Sequence, residues 1–181
     1  YLDTDERRRF AQQSHEYLIE QVQHQSATAA QSIELNFNHP VKELIWVGQG
    51  DATSSATASL SSPRPLIDDT ATTTALLKLN GHDRFAARDM RYFTRTQVLD
   101  YHSGFGGVSL GAAGVPEDSI AVYSFALKPE EHQPSGTCNF SRIDNATLQF
   151  SADPAQGLHI YAINYNVLRI MSGMGGLAYS N

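Results

Sequence analysis

An all-β sandwich of two packed antiparallel sheets is the fold class this sequence predicts. Several short segments place apolar residues with a period of two, Ile33, Leu35 and Phe37 among them, as strands buried on one face do. Between such segments lie stretches rich in Gly, Pro, Asn and Ser, the residues that set turns in β chains. The length of 181 residues suits one domain over residues 1–181, since a domain of about 150 residues buries about 70% of its unfolded surface.

The first element is a short helix within residues 1–13, capped by Asp3 or Thr4, with Asp5 and Glu6 in its first turn and Phe10 as its inward anchor. From His15 onward Tyr17, Ile19 and Gln21 alternate with Leu18, Glu20 and Val22, predicting a strand to about Gln23. Ile33, Leu35 and Phe37 then alternate with Glu34, Asn36 and Asn38, and His39-Pro40 closes that segment. Leu44, Ile45, Trp46 and Val47 are apolar without interruption, which predicts a strand covered on both faces.

Residues 48–65 are low in complexity and weakly apolar, a variable surface loop. A strand resumes from Thr72 to Leu79, and Asn80-Gly81 is a turn signal because both residues tolerate positive φ. Residues 88–99 predict another extended segment around Tyr92 and Phe93. The glycine-rich run from Gly104 to Gly114 lacks GxxxxGK[ST] and a strand-then-helix setting, so it is a loop and not a phosphate cradle.

Residues 120–127 predict a strand with Tyr123, Phe125 and Leu127 on one side, stopped by Lys128-Pro129. Strands at 148–150 and from Leu158 onward complete about eight short strands with long loops, which suits a single jelly roll. In the last of them Tyr161, Ile163, Tyr165 and Val167 share one face and Ala162, Asn164 and Asn166 the other, predicting one apolar side. Residues 171–181 break the pattern. Gly173, Gly175 and Gly176 allow close backbone approach, and Met171, Met174 and Leu177 are unwelcome in solvent, so this tail is expected to dock against protein as an assembly surface.

A net charge of −6 and a pI near 5.6 argue against direct nucleic-acid binding, which needs clustered Lys and Arg. The basic run Arg7-Arg8-Arg9 reads as a solvated helix face. A single cysteine, Cys138, rules out an intrachain disulfide framework and suits folding in a reducing compartment. The sequons at Asn139 and Asn145 read as turn chemistry. No stretch approaches the ~20 apolar residues of a spanning helix, and the start at Tyr1 without an h-region suggests a soluble, processed or excised piece.

No catalytic, cofactor-binding or metal site is predicted. His15, His24, His39, His82, His102, His132 and His159 include no HxH or HExxH spacing and no Cys-His cluster. Asp68-Asp69 and Glu130-Glu131 have no spacing that fixes them beside a partner on one face, and GxSxG is absent. Tyr92, Phe93, Tyr101, Phe105, Tyr123 and Tyr161 read as core aromatics. The rival readings are a glycan- or receptor-binding β-sandwich, which needs an exposed aromatic platform or a loop calcium site, and a cupin-like enzyme, which needs histidine-held metal inside the barrel.

Four blocks add a family likeness: residues 37–46 (FNHPVKELIW), 79–85 (LNGHDRF), 122–144 (VYSFALKPEEHQPSGTCNFSRID) and 161–181 (YAINYNVLRIMSGMGGLAYSN). Together they closely resemble the C-terminal half of the major capsid proteins of nucleocytoplasmic large DNA viruses, of iridovirus and phycodnavirus type. The resemblance implies the second of two successive jelly rolls, with three subunits forming a pseudo-hexagonal capsomer of an icosahedral virion. It also implies homotrimer, neighbouring-capsomer and minor-capsid-protein contacts, assembly in the host cytoplasm, outward-facing variable loops and no enzymatic activity.

Overall fold

A computed structural model of the chain describes residues 1–48, 73–104, 106, 109–110, 116–117, 120–152, 154 and 157–180. The strands are β1 (His15–Ala27), β2 (Ser32–Glu34), β3 (Pro40–Gly48), β4 (Thr74–Leu79), β5 (His82–Asp83), β6 (Arg88–Asp89), β7 (Ser109–Leu110), β8 (Pro116–Glu117), β9 (Ile120–Ser124), β10 (Cys138–Asn139), β11 (Ala146–Phe150), β12 (Leu158–Met171) and β13 (Met174–Leu177). Helices α1 (Thr4–Gln12) and α2 (Gln97–Tyr101) join a π-helical turn at Tyr92–Thr96 and a 3-10 turn at Phe140–Arg142. The variable loop, apart from Gly48, and most of the glycine-rich run lie outside the described residues, as do Asp68 and Asp69.

The first sheet runs β1-β12-β3-β10, with β9 also on β3 and β13 also on β12. The second runs β2-β11-β4-β5, with β6 also on β4, and β7 and β8 form a separate pair. The two larger sheets form the jelly-roll sandwich. Its core joins Val41, Leu44, Trp46, Tyr123, Leu158, Ile160 and Ala162 of the first sheet to Ile33, Ala75, Leu77, Ala146, Leu148 and Phe150 of the second. The alternation of Ile33, Leu35 and Phe37 does bury those three side chains, although the β ladder ends at Glu34.

Asp3 caps α1 in a capping box with Glu6, as the sequence indicates, but no residue of the helix is buried. Phe10 instead lies over the rings of His15 and Tyr17, at centroid distances of 4.5 and 6.5 Å, so its anchor is a sheet surface. β1 continues past Gln23 to Ala27, because its register against β12 runs unbroken from His15↔Ile170 to Ala27↔Leu158. Asn80 (φ 51°) and Gly81 (φ 79°) form the expected two-residue turn between β4 and β5.

Three expectations need correction. The segment around Tyr92 and Phe93 is helical: Met90, Phe93, Thr94 and Gln97 are buried at i, i+3, i+4 and i+7, one face of a helix laid on the core. Strand β9 ends at Ser124, since the amides of Phe125 and Ala126 both turn to donate to the Lys42 carbonyl, and Leu127 is exposed. In β12 the core-facing side chains are Leu158, Ile160 and Ala162, so the row Tyr161, Ile163 and Val167 lies on the outer face, half-buried.

β3 explains its own apolar run. Its register against β12 slips between Ile163↔Glu43 and Asn164↔Val41, leaving Lys42 unpaired in a β-bulge. The extra residue lets Val41, Leu44 and Trp46 all enter the core while Lys42 and Glu43 sit together on the outer face. Ile45 and Val47 share that face and are half-buried, so the strand is covered fully on one side and partly on the other.

The inner face of β1 is polar where it meets residues 34–38. Gln23 Nε2 donates to the Asn38 carbonyl (2.6 Å) and to Asn164 Oδ1 (3.0 Å), while the Asn38 amide donates to Gln23 Oε1 (3.0 Å). Gln25 repeats the arrangement, donating to the Glu34 carbonyl (2.6 Å) and accepting from the Asn36 amide (2.9 Å). Two side-chain amides thus satisfy backbone groups that a neighbouring strand would otherwise take.

Candidate functional site

The tail is a β-hairpin. Ser172 (φ 52°) and Gly173 (φ 77°) form a two-residue turn, and β13 returns along β12 from Met171↔Met174 to Leu168↔Leu177. Beyond it the Ala178 amide donates to the Val167 carbonyl (2.8 Å), and Asn166 Nδ2 donates to the Tyr179 carbonyl (2.9 Å) and to Gln21 Oε1 (2.8 Å). The positive φ belongs to Gly173, whereas Gly175 and Gly176 stand in the strand with open space or ordinary contact where a Cβ would go. The hairpin exposes Met171 (51%), Met174 (74%), Leu177 (46%) and Tyr179 (63%). Pairing satisfies this backbone, while its apolar side chains stay uncovered in the single chain.

The outer face of the first sheet carries a second apolar surface. Cross-strand pairs align Val22 with Ile163, and Ile45 with both Tyr161 and Val122. Ile120 and Val22 are exposed there, and Ile45, Val47, Tyr161 and Ile163 are half-buried.

A charged brace borders this face. Lys42 Nζ lies 2.8 Å from Glu20 Oε1 and 5.7 Å from the centroid of the Tyr165 ring. His102, just past α2, sits between two carboxylates: its Nε2 is 3.0 Å from Glu43 Oε2 and its Nδ1 is 3.4 Å from Glu130 Oε1. Burial pushes the Glu43 carboxyl above the usual carboxylate range, against the pull of His102 and Lys42. Glu130 is held below that range, chiefly by the Ser103 amide, which donates to its Oε1 at 2.8 Å. The brace ties β1, β3, the end of α2 and the loop after Pro129 together, so Glu130 has a structural use in this chain.

The histidines show what spacing alone misses. His24 Nε2 and His159 Nδ1 are 3.0 Å apart although the residues are 135 positions apart, because the β1–β12 register brings them to neighbouring positions. Among the described residues no group of three or more His, Cys, Asp and Glu is placed to hold a metal ion. Of the aromatic residues singled out, Phe93 and Tyr123 are in the core, Tyr92 packs against it, and Tyr161 stacks on His24 at 4.8 Å. Asn139 caps a turn by accepting from the Ser141 amide, and Asn145 accepts from the Thr147 hydroxyl. No helix among the described residues is long and apolar enough to cross a membrane.

Two packed antiparallel sheets with an exposed apolar hairpin and a half-covered apolar outer face define a jelly-roll module with broad contact surfaces. The chain belongs to the family of large eukaryotic DNA virus major capsid proteins, whose family model matches residues 6–176. It is 52% identical to the major capsid protein of Pyramimonas orientalis virus, covering 100% of this chain and 47% of that protein. It is 44% identical to the major capsid protein of Paramecium bursaria Chlorella virus 1, covering 100% of this chain and 52% of that protein. A quasi-atomic model of the PBCV-1 virus capsid superposes with a TM-score of 0.72 at 39% identity, covering 100% of this chain and 55% of that one. The chain therefore spans about half the length of the curated relatives it matches.

Proposed function

We propose that this jelly roll is a structural part of a viral capsid shell, acting as the second of two such modules in a major capsid protein. Three two-module subunits associate into a near-hexagonal capsomer, and capsomers tile with their neighbours and with minor capsid proteins into an icosahedral shell assembled in the host cytoplasm. The protein works by burial, many modest contacts adding up to a stable surface. The observation that carries this reading is the exposed apolar hairpin of β12 and β13, held in shape by its own ladder and by Asn166, with Met171, Met174, Leu177 and Tyr179 free to meet another subunit. The net charge of −6 fits a shell component that makes no direct contact with the genome, and no catalytic role is assigned.

Deleting residues 172–181 from the full two-module protein is expected to abolish trimers in analytical ultracentrifugation while leaving most of the sheet signal in circular dichroism. Trimers of undiminished stability would remove the hairpin from the interface. A full-length protein that stays monomeric at high concentration and forms no shells would overturn the capsid role.

A further inference from the structure

We propose that His24 and His159 form a two-imidazole binding site for a zinc-class divalent cation on the outer face of the first sheet. Their facing nitrogens, His24 Nε2 and His159 Nδ1, are 3.0 Å apart. Two Zn–N bonds of about 2.0–2.1 Å at a tetrahedral angle span about 3.3 Å, so the rings need to part by only a few tenths of an ångström. The frame is already set. β1 and β12 are paired without a register break on both sides of the two residues, and the Tyr161 ring lies stacked on His24 at 4.8 Å.

His24 is exposed and His159 half-buried, so a cation can approach from solvent, and water completes its coordination. The two nitrogens now share one proton in a hydrogen bond. When the cation binds, the ring that donates this proton carries it instead on its other nitrogen, leaving a lone pair on each facing nitrogen and both imidazoles neutral. No net charge is lost from the protein. Paired imidazoles select Zn2+, Ni2+ or Cu2+ over the oxygen-seeking Mg2+ and Ca2+. The site staples β1 to β12, so the cation stabilises the folded chain by an amount that grows with the logarithm of its free concentration over its dissociation constant.

The test is calorimetric titration of the 181-residue chain with Zn2+, beside His24→Gln, His159→Gln and, as a control in strand β5 of the other sheet, His82→Gln. One cation is expected per chain, with affinity falling at least about tenfold in each of the first two variants and unchanged in the third. Zn2+ should raise the melting temperature of the unsubstituted chain and Mg2+ should not. Imidazole 15N spectra of the unsubstituted chain give a readout that needs no variant: His24 should become metallated at Nε2 and His159 at Nδ1. Absence of binding, binding that both variants retain at full strength, an equal loss in His82→Gln, or spectra that leave both rings unchanged would each overturn the proposal.

Discussion

Replacing Trp46 with alanine tests the sandwich at its centre. The indole is 1% exposed, lies in β3 with its ring centroid 5.2 Å from that of Phe93, and bridges the first sheet to the helical turn that covers the core. An aromatic side chain of this kind buries about 200 Å2, which at about 25 cal/mol per Å2 is worth about 5 kcal/mol. Alanine retains part of that area and leaves a cavity that a core held by two sheets cannot close, so the expected loss is about 3–5 kcal/mol. The indole Nε1 makes no hydrogen bond. Trp46→Phe therefore forfeits volume but also removes a buried, unpaired donor whose desolvation costs about 1–3 kcal/mol, and it should be much milder than Trp46→Ala. Urea unfolding followed by far-ultraviolet circular dichroism measures both without relying on the lost fluorophore. A loss below about 1 kcal/mol for Trp46→Ala, or a phenylalanine variant as unstable as the alanine one, would refute the reasoning.

Four further substitutions probe the hairpin and the charged brace. Gly173→Val places a β-branched residue at φ 77° in the hairpin turn and should cost about 1–3 kcal/mol, whereas Gly176→Ala, with nothing near its added Cβ, should be close to neutral; amide exchange of residues 174–177 reads the difference. Because burial raises the Glu43 carboxyl, the folded chain keeps a proton that the unfolded chain gives up from about pH 4.5 upward, so this group's contribution to stability falls as pH rises through that window. Glu43→Gln should flatten that part of the stability profile, measured by urea unfolding at a series of pH values. Glu130 slopes the other way, its contribution being present above the ordinary carboxylate range and lost as pH falls, so Glu130→Gln should weaken the loss in acid.

Much of the fold was legible because its strands bury one face. Ile33, Leu35 and Phe37 announced their burial by alternation, and Asn80-Gly81 announced its turn by tolerance of positive φ. The helical stretch after Asp89 was legible too, since Met90, Phe93, Thr94 and Gln97 carry helical spacing, but aromatic and β-branched residues nearby favoured a strand on propensity. The inversion of β12 was harder to see. Tyr161, Ile163 and Val167 outweigh Ala162 and Asn164 in apolar character, yet Ala162 is fully buried in the core, and Asn164 is buried on the same face, its Oδ1 satisfied by Gln23. Nothing local marks the bulge at Lys42, which register against β12 defines, or the pairing of His24 with His159, which exists only after two distant strands have met.

The paired amides of Gln23 and Gln25 bear on how the sandwich carries load. Apolar packing between two sheets is non-directional and resists separation better than sliding, because a small slip trades one set of contacts for another. The four hydrogen bonds between these glutamines and the backbone of residues 34–38, two donated by the side chains and two accepted, are directional. They act as rivets against shear, so a slip of β1 along residues 34–38 breaks them together and not in sequence. The module therefore meets lateral load stiffly up to the point where all four bonds give at once, and does not yield by degrees.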